Sequence, residues 1–415
     1  MNIAKVNCRI CKADSLDLLH DFGMMPVAGY LVDSFQKAID ENRYSNFLVR
    51  CSKCGLVQQG GGDFYNVLID KVYSNYQATY SMSLKVREYM SKFIDDAMEV
   101  SEIKSKEDIV LEIGSNDGSM FDILREKGVR PAGIDPSAVA SDKDKDAIVM
   151  RDFFSTAVAQ KFVNEHGKVK LLFSRHTLEH VFDPGDFMNA IGLILDSQGV
   201  AVIEVPYLAA QLNANQYPGM TFQHISFFTL QCLKYLGELY GLHMFNVKPS
   251  KMDGGSVVVY LAKNPRANVT HTLFGLLEYE KDSETACLQG LLKKFQLIET
   301  SKKHVREHIM GLSKNSFGVL SYGAGSKGQA LLNMLNLSSD IVPFVVDDTP
   351  GTKGRYIPGT GTKVIDSADE NMLKSNFCLI TAPTHVDEIA AKEQKKHPQV
   401  TFIRTSPDFS YISSI

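Results

Sequence analysis

The sequence predicts an α/β protein in three parts: a small N-terminal zinc-binding module, a central Rossmann-like domain and a second Rossmann-like α/β domain at the C-terminus. Three observations predict this fold class. Two Cys-x-x-Cys pairs lie in a short, turn-rich N-terminal segment, strand and helix patterns alternate in two later stretches, and each stretch contains a glycine-rich turn between a strand and a helix. We expect the three parts to span residues 1–72, 73–245 and 246–415.

The length and composition indicate a globular protein, because 415 residues with 44% hydrophobic side chains can bury two or three cores. The formal net charge of -4 and the scattered basic residues give no general attraction to polyanions, so a nucleic-acid partner is not expected. No apolar run approaches the ~20 residues needed to span a bilayer, and the N-terminus lacks the apolar core of a secretory signal. We expect a soluble, cytoplasmic protein without a membrane partner, as a monomer or a weak homodimer.

The N-terminal module is defined by its cysteines, which are Cys8, Cys11, Cys51 and Cys54. Each Cys-x-x-Cys pair can form a tight knuckle that presents both sulfurs to one point, so two pairs can surround one tetrahedral ion. Sites with four sulfurs are usually closed and structural. The spacing therefore predicts structural zinc, with free thiols or another metal as the alternatives.

The central domain begins with a predicted strand at 108–112, which leads into a glycine-rich turn. Strand end and turn together read Glu112-Ile-Gly114-Ser-Asn116-Asp-Gly118. Glycines let the backbone approach a ligand closely, as the amino-acid part of S-adenosylmethionine requires. The second strand ends at Asp135, whose carboxylate can accept hydrogen bonds from both ribose hydroxyls, as in NAD enzymes. Because this turn lacks Gly-x-Gly-x-x-Gly and matches the first methyltransferase motif, we predict S-adenosylmethionine as the cofactor.

Two further cofactor contacts are predicted where later strands reach the same cleft. Phe153 follows the third strand, at a position where an aromatic ring can pack on adenine, although packing in the core explains it almost as well. Ser174 lies at the end of the fourth strand.

Histidines follow the fourth and fifth strands. His176 and His180 could share one helical face and bind a metal, but no third ligand at a matching spacing completes a set. His224 is the best candidate for a general base, because a neutral imidazole can remove a proton from the carbon next to a carbonyl group. A hydrogen-bonded packing histidine is the alternative.

The C-terminal stretch predicts the second α/β domain. One long helix is expected over 273–310, followed by a strand, turn and helix around Tyr322-Gly-Ala-Gly-Ser-Lys327-Gly. Further strands are expected at 341–346 and 377–381.

In this order, the motifs resemble those of the nucleotide-sugar C-methyltransferases, which are three-domain enzymes. The resemblance covers essentially the whole chain. Its strongest marks are the cysteine spacing, Tyr73-Ser-Asn-Tyr76-Gln-Ala-Thr-Tyr80-Ser, Gly254-Gly255-Ser256 and Lys353-Gly354-Arg355-Tyr356-Ile-Pro358-Gly359.

The resemblance implies a reaction of branched deoxysugar biosynthesis. A dTDP- or GDP-linked 4-keto-6-deoxy sugar would lose a proton from the carbon next to its ketone, and the enolate would take the methyl group. By position, His224 would be the base, with His180 and Tyr76 near the enolate oxygen. Further substrate contacts would come from Tyr80, Gln223, Tyr322, Lys327 and Arg355.

Two segments depart from the family pattern. After Gly254-Gly255-Ser256, Val257 and Val258 stand where the family has a basic residue. The family usually shows Tyr-x-Glu-His before the base, whereas this chain has Thr221-Phe222-Gln223-His224. The alternatives are therefore an O- or N-methyltransferase of a related sugar or small metabolite, and a scaffold without catalytic activity.

Overall fold

A computed structural model describes most of the chain. The described residues are 6–73, 84–101, 103, 105–137, 147–266, 269–406 and 408–412. Two of the predicted site residues, Tyr76 and Tyr80, lie outside them.

The secondary structure follows the predicted alternation. The strands are β1 (Leu16–Met25), β2 (Tyr44–Cys51), β3 (Val57–Gln59), β4 (Ile109–Ile113), β5 (Arg130–Ile134), β6 (Ile148–Met150), β7 (Val169–Arg175), β8 (Leu195–Pro206), β9 (Ser226–Phe227), β10 (His243–Ser250), β11 (Ser256–Ala262), β12 (Val319–Tyr322), β13 (Phe344–Val346), β14 (Lys363–Ile365), β15 (Phe377–Ile380), β16 (Thr401–Arg404) and β17 (Ser410–Ile412). The α-helices are α1 (Phe35–Ile39), α2 (Tyr65–Val67), α3 (Leu84–Ser101), α4 (Phe121–Glu126), α5 (Thr156–His166), α6 (Pro184–Ile194), α7 (Leu208–Asn213), α8 (Leu230–Leu239), α9 (His271–Asp282), α10 (Leu288–Lys314), α11 (Ser326–Met334), α12 (Glu370–Lys374) and α13 (Val386–Glu393). A π-helical segment covers Leu68–Tyr73, and short 3-10 helices cover Leu178–His180, Tyr217–Gly219 and Met252–Gly254.

The N-terminal module contains an antiparallel sheet in the order β1-β2-β3-β9. Its last strand comes from the central part of the chain, since Val57 pairs with Phe227 and Gln58 pairs with Ser226. Val57 and Phe227 are both buried in one apolar cluster. The module and the central domain thus share a sheet, and its strand from the central domain, β9, begins two residues after His224.

The central sheet has the order β10-β11-β8-β7-β4-β5-β6. Strand β4 is parallel to both of its neighbours, β5 and β7, so the strand order reverses beside it. Ligands of such sheets bind beyond the carboxyl ends of the strands at this reversal. The fold therefore places a crevice directly after Ile113.

Two apolar layers hold this sheet between helices, because successive side chains of a strand point to opposite faces. Val110 of β4 packs in a cluster with Phe93 of α3 and Phe121 of α4. Leu111, the next residue, packs in another cluster with Phe162 of α5. This double burial explains why the sequence of β4 reads as a continuous apolar run.

The C-terminal domain repeats this plan in a smaller sheet, with the order β14-β13-β12-β15-β16-β17. Strand β12 is parallel to β13 and β15, and only the last strand, β17, is antiparallel to its neighbour β16. A second crevice of the same kind therefore opens after Tyr322.

The predicted fold class is confirmed, but the long helix expected over 273–310 is wrong. Two helices, α9 and α10, occupy this stretch. Glu284 between them has a φ of 57°, which an α-helix cannot accommodate, and the Cys287 sulfur accepts the Gly290 N–H at the start of α10.

The central sheet also extends beyond the division at 245/246 that the composition indicates. Strand β11 pairs with β8 along its whole length, from Ser256 opposite Pro206 to Ala262 opposite Val200. Within the described ranges, no helix combines the length and the apolar character that a membrane crossing requires.

Candidate metal centre and active site

The two Cys-x-x-Cys pairs fold into knuckles with the same backbone hydrogen bonds. Lys12 N–H donates to the Cys8 carbonyl oxygen, and Gly55 N–H donates to the Cys51 carbonyl oxygen, both at 3.0 Å. Lys12 and Gly55 both have positive φ, 57° and 77°. The shared geometry turns the cysteines of each pair toward one point.

The four sulfurs converge there. Cys8 Sγ lies 3.4 Å from Cys54 Sγ, Cys11 Sγ lies 3.5 Å from Cys51 Sγ, and all four lie within 4.8 Å of one another. Tetrahedral zinc with Zn–S bonds of ~2.3 Å requires sulfurs about 3.8 Å apart. Contact with the Cys54 thiol, together with burial, raises the pKa of Cys8. Since a cation would instead stabilise the thiolates, these residues fit a structural zinc ion.

The turn after β4 has the shape that the glycine pattern predicts. Gly114 has a φ of 79°, and its N–H donates to the Ile134 carbonyl oxygen at 2.9 Å. A Cβ at this position would lie 2.3 Å from Thr177 Oγ1. Gly114 is therefore required both for its backbone angle and for the close approach of the next loop.

We expect Gly114→Ala to lower the free energy of unfolding more than Gly128→Ala does. An alanine at positive φ costs about 1–2 kcal/mol at either position. Gly128 has a similar φ of 76°, but among the described residues no atom beyond Gly128 and its two chain neighbours lies within 4 Å of the place that a methyl group would occupy there. Gly114→Ala, in contrast, also meets Thr177. Urea unfolding of both variants measures this difference. An equal loss of unfolding free energy in the two variants would refute the predicted clash with Thr177.

Asp135 connects the first two loops of the crevice. Its Oδ2 accepts the Asn116 N–H at 2.9 Å, and its Oδ1 accepts the Ser137 N–H at 2.7 Å. The side chain is only 8% exposed. A carboxylate has about four lone-pair positions, so these two bonds leave acceptor capacity for ribose hydroxyls. Asp135 is thus held in place by the backbone of the turn that it is expected to serve.

Glu112 lies buried at the end of β4. Its Oε2 has no hydrogen-bond partner among the described residues. Burial, assisted by the charge of Asp135, raises the pKa of Glu112 to about 8, although the charge of Arg175 opposes this shift. A buried acid of this kind would gain from a cationic partner, such as the ammonium group of the predicted cofactor.

The other predicted cofactor residues have different surroundings. The Ser174 hydroxyl donates to the Ile113 carbonyl oxygen at 3.1 Å, so it supports the end of β4. Gly118 also has positive φ, at 72°. Phe153 is 52% exposed, and it is Phe154 instead that packs against Phe187. The exposed ring of Phe153 is therefore free of the core, as an adenine contact requires.

The histidines His180 and His224 come together beyond this crevice. Their ring centroids are 4.9 Å apart and their planes are inclined by 74°. His180 Nδ1 lies 2.7 Å from the Gln223 carbonyl oxygen, so this nitrogen carries the proton and Nε2 is the acceptor of the neutral ring. Burial, followed by the charge of His180, lowers the pKa of His224 to about 4. The His224 imidazole is therefore neutral at pH 7.

The Glu179 carboxylate lies beside both rings. One of its oxygens and ring nitrogens of His180 and His224 all lie within 4.8 Å of one another. On its other side, Glu179 Oε1 lies 3.4 Å from His176 Nδ1. Burial raises the pKa of Glu179, but the contact with His176 and the charges of the three histidines outweigh burial and lower it. Glu179 therefore carries a negative charge beside the histidine pair.

His176 is the basic side chain on the other side of Glu179. Burial lowers its pKa, but the contact with Glu179 and the charges of Glu179 and Glu204 outweigh burial and raise it. Its Nε2 lies 3.8 Å from Glu204 Oε2, and Glu204 in turn accepts a hydrogen bond from Arg175 Nε at 2.8 Å. The site thus rests on a buried network in which acidic and basic side chains alternate.

The C-terminal domain reaches the same site through Lys327, which forms an ion pair with Asp253. Burial raises the pKa of Asp253, but the charges of Lys327, His176 and His224 outweigh burial and lower it. Gln223, in contrast, directs its side chain away from the rings, because its Nε2 donates to the Ala28 carbonyl oxygen at 3.1 Å. Gln223 therefore serves the site through its backbone carbonyl group.

The last two predicted substrate residues lie elsewhere. The Tyr322 hydroxyl donates to Asp348 Oδ2 at 2.9 Å, at the carboxyl end of the C-terminal sheet. Arg355 is exposed in a loop whose next residue, Tyr356, pairs with Val32 of the N-terminal module. The structure therefore places Arg355 at that module, and its role as a phosphate contact stays a prediction.

The crevice of the C-terminal domain repeats the bonds of the central one. Gly323 N–H donates to the Val346 carbonyl oxygen, and Ala324 N–H donates to Asp347 Oδ2, both at 2.8 Å. The Thr381 hydroxyl donates to the Tyr322 carbonyl oxygen, just as Ser174 supports β4. Asp347 therefore occupies the place that Asp135 has in the central domain.

Several residues of this region were not predicted, among them Glu179, Asp253 and Asp347. For Asp347 a signal existed, since an acid about 20 residues after Gly-x-Gly-x-x-Gly is typical of nucleoside binding. For Glu179 and Asp253 the sequence contains no comparable signal, because their partners come from other elements.

Family profiles match consecutive parts of the chain. A profile described as a zinc binding domain matches residues 8–61, a methyltransferase domain matches 84–247, and a C-methyltransferase C-terminal domain matches 251–407.

Individual proteins are also similar. The C-methyltransferase NovU of Streptomyces niveus is 27% identical over 394 residues, which cover 94% of this chain and 92% of that protein. Among solved structures, magnesium protoporphyrin IX methyltransferase from Synechocystis PCC 6803 matches with 12% identity and a TM-score of 0.34, covering 45% of this chain and 90% of its own. Geranyl diphosphate C-methyltransferase from Streptomyces coelicolor A3(2) matches with 13% identity and a TM-score of 0.33, covering 43% and 80%.

Proposed function

We propose that this chain, which belongs to the S-adenosylmethionine-dependent methyltransferases, methylates a carbon atom of a nucleotide-activated 4-keto-6-deoxy sugar. One observation carries the proposal. A neutral His224 lies beside His180 where the central domain meets Lys327 of the C-terminal domain, so a base stands between two nucleotide-type crevices.

The central crevice is proposed to hold the cofactor. S-adenosylmethionine, when bound, supplies an electrophilic methyl group. The chain would hold its ribose on Asp135, its adenine on Phe153 and its ammonium group on the buried Glu112, whose unpartnered oxygen favours a cation. The positive φ of Gly114 and Gly118 opens the backbone for this approach.

The C-terminal crevice is proposed to hold the nucleotide of the substrate. Its glycine turn opens helix α11, whose first N–H groups favour a diphosphate, and Lys327 adds a positive charge on the side of the histidines. Asp347 occupies the position that grips a ribose in related sheets. A diphosphate on this turn would direct the attached sugar toward His180 and His224.

The proposed chemistry is a proton transfer followed by methyl transfer. His224 takes the proton from the carbon next to the ketone, and the electron pair of that C–H bond forms the enolate. The enolate carbon forms the new C–C bond as the carbon–sulfur bond of the cofactor breaks. His180 would lie on the side of the enolate oxygen, where it must be doubly protonated to donate, because Nδ1 already donates to Gln223.

The test is solvent exchange with a panel of dTDP- and GDP-linked 4-keto-6-deoxy sugars in deuterated water. We expect deuterium to enter the carbon next to the ketone when S-adenosylhomocysteine is present, and a C-methyl product when S-adenosylmethionine replaces it. The same sugar nucleotides reduced to 4-hydroxy sugars are the control and should show neither. An O- or N-methyl product without exchange would refute carbon methylation.

A further inference from the structure

We propose that Glu179 is a positioning residue of this reaction, which stabilises the imidazolium that forms when His224 takes the substrate proton. The inference rests on the proposed function. It adds a residue that neither the cofactor crevice nor the nucleotide crevice contains.

The first argument is the buried position of Glu179 beside the rings of His180 and His224. It belongs to the 3-10 helix Leu178–His180, and its side chain is buried, with the residue only 1% exposed. Its carboxylate lies within 4.8 Å of ring nitrogens of both His180 and His224. The Glu179 carbonyl oxygen accepts the Ile225 N–H at 2.9 Å, so backbone bonding holds the acid and the base in register.

The second argument is the balance of charge around His224. The groups that face it are Glu179 and His180, the Asp253–Lys327 pair, and the His176, Glu204 and Arg175 network behind Glu179. The carboxylates of Glu179, Asp253 and Glu204 lie there with the cations Lys327 and Arg175. A proton on His224 adds one positive charge to this set, and loss of Glu179 would remove one of its three negative charges.

The third argument is that Gln223 cannot take this role. The Gln223 side-chain amide donates to the Ala28 carbonyl oxygen, and the Gln223 backbone carbonyl oxygen is already the acceptor for His180 Nδ1. Asp253 has its own cation in Lys327. The Glu179 carboxylate, in contrast, interacts with the histidines His176, His180 and His224.

The test compares Glu179→Gln with Glu179→Asp and with the control Glu280→Gln. Glu280 is also fully buried, but its carboxylate accepts the Leu230 and Gln231 N–H groups at the start of α8. We expect Glu179→Gln to lower kcat by about 10- to 100-fold, less than the loss of the base itself, with little change in KM. Glu179→Asp should recover part of kcat, and Glu280→Gln should lower thermal stability without lowering kcat.

A measurement without substrate separates this inference from the proposed function. Glu179 raises the pKa of His224 through its charge, so removing it moves protonation to lower pH. In histidine NMR spectra, wild-type His224 should be about half protonated near pH 4, and in Glu179→Gln the protonated fraction at that pH should be smaller. An identical titration, or equal kcat, in Glu179→Gln overturns the inference. A failed deuterium exchange with a shifted titration overturns only the proposed reaction.

Discussion

Replacement of His224 by asparagine is expected to lower kcat for methyl transfer by about 10²–10⁴-fold, the range for loss of a general base. Asparagine keeps a polar side chain in the buried position but cannot accept a proton from carbon. Because His224 lies outside the turn that is proposed to bind the cofactor, affinity for S-adenosylhomocysteine, measured by calorimetry, should be unchanged.

The pH profile follows from the low pKa of His224. Its active form is the neutral ring, so kcat/KM should rise with pH through about 4 and stay level toward neutrality with respect to this group. His385→Asn is the control, since His385 is exposed and faces Glu388. Deuterium exchange in His224→Asn at the wild-type rate would show that another group takes the proton.

Replacement of Cys51 by serine is expected to remove the zinc ion. It should also lower the free energy of unfolding by more than most single substitutions do. Wild-type protein should contain about one zinc per chain by elemental analysis. A loss of more than ~4 kcal/mol of unfolding free energy is expected, because metal binding and folding of such a module are one process. Cofactor affinity should persist, since the central sheet does not contain the cysteines.

The control for the metal centre is Cys287→Ser. Cys287 is exposed, and a serine can replace it at the start of α10. This variant should retain zinc and its melting temperature. If Cys51→Ser lost turnover but melted as the wild type does, the structural role would be refuted.

The local sequence pattern was sufficient to predict those structural elements whose conformation depends only on residues close together in the sequence. The two knuckles follow from Cys-x-x-Cys spacing, and the turn at Gly114 follows from glycines after an apolar strand. Both depend on backbone geometry that only nearby residues control. The break before Leu288 was missed because helical periodicity continues on both sides of a single residue with positive φ.

The charged site required the tertiary structure. Glu179 and His224 are neighbours only because β9 joins the N-terminal sheet and its preceding loop bonds back to the 3-10 helix at Glu179. Asp253 meets Lys327 only because the strands on either side of its turn join the central sheet, while Lys327 belongs to the next domain. The spacing of residues along the chain does not predict such contacts between distant segments.

The sequence by itself determined the zinc ligands, the glycine turn after β4 and the order of the domains, because each is encoded in short-range residue patterns. Only the tertiary structure decided that the Gln223 side chain turns away from His224 and that Glu179 lies beside it. The physical reason is that the charge around a buried imidazole depends on distances in space, and burial strengthens every such interaction.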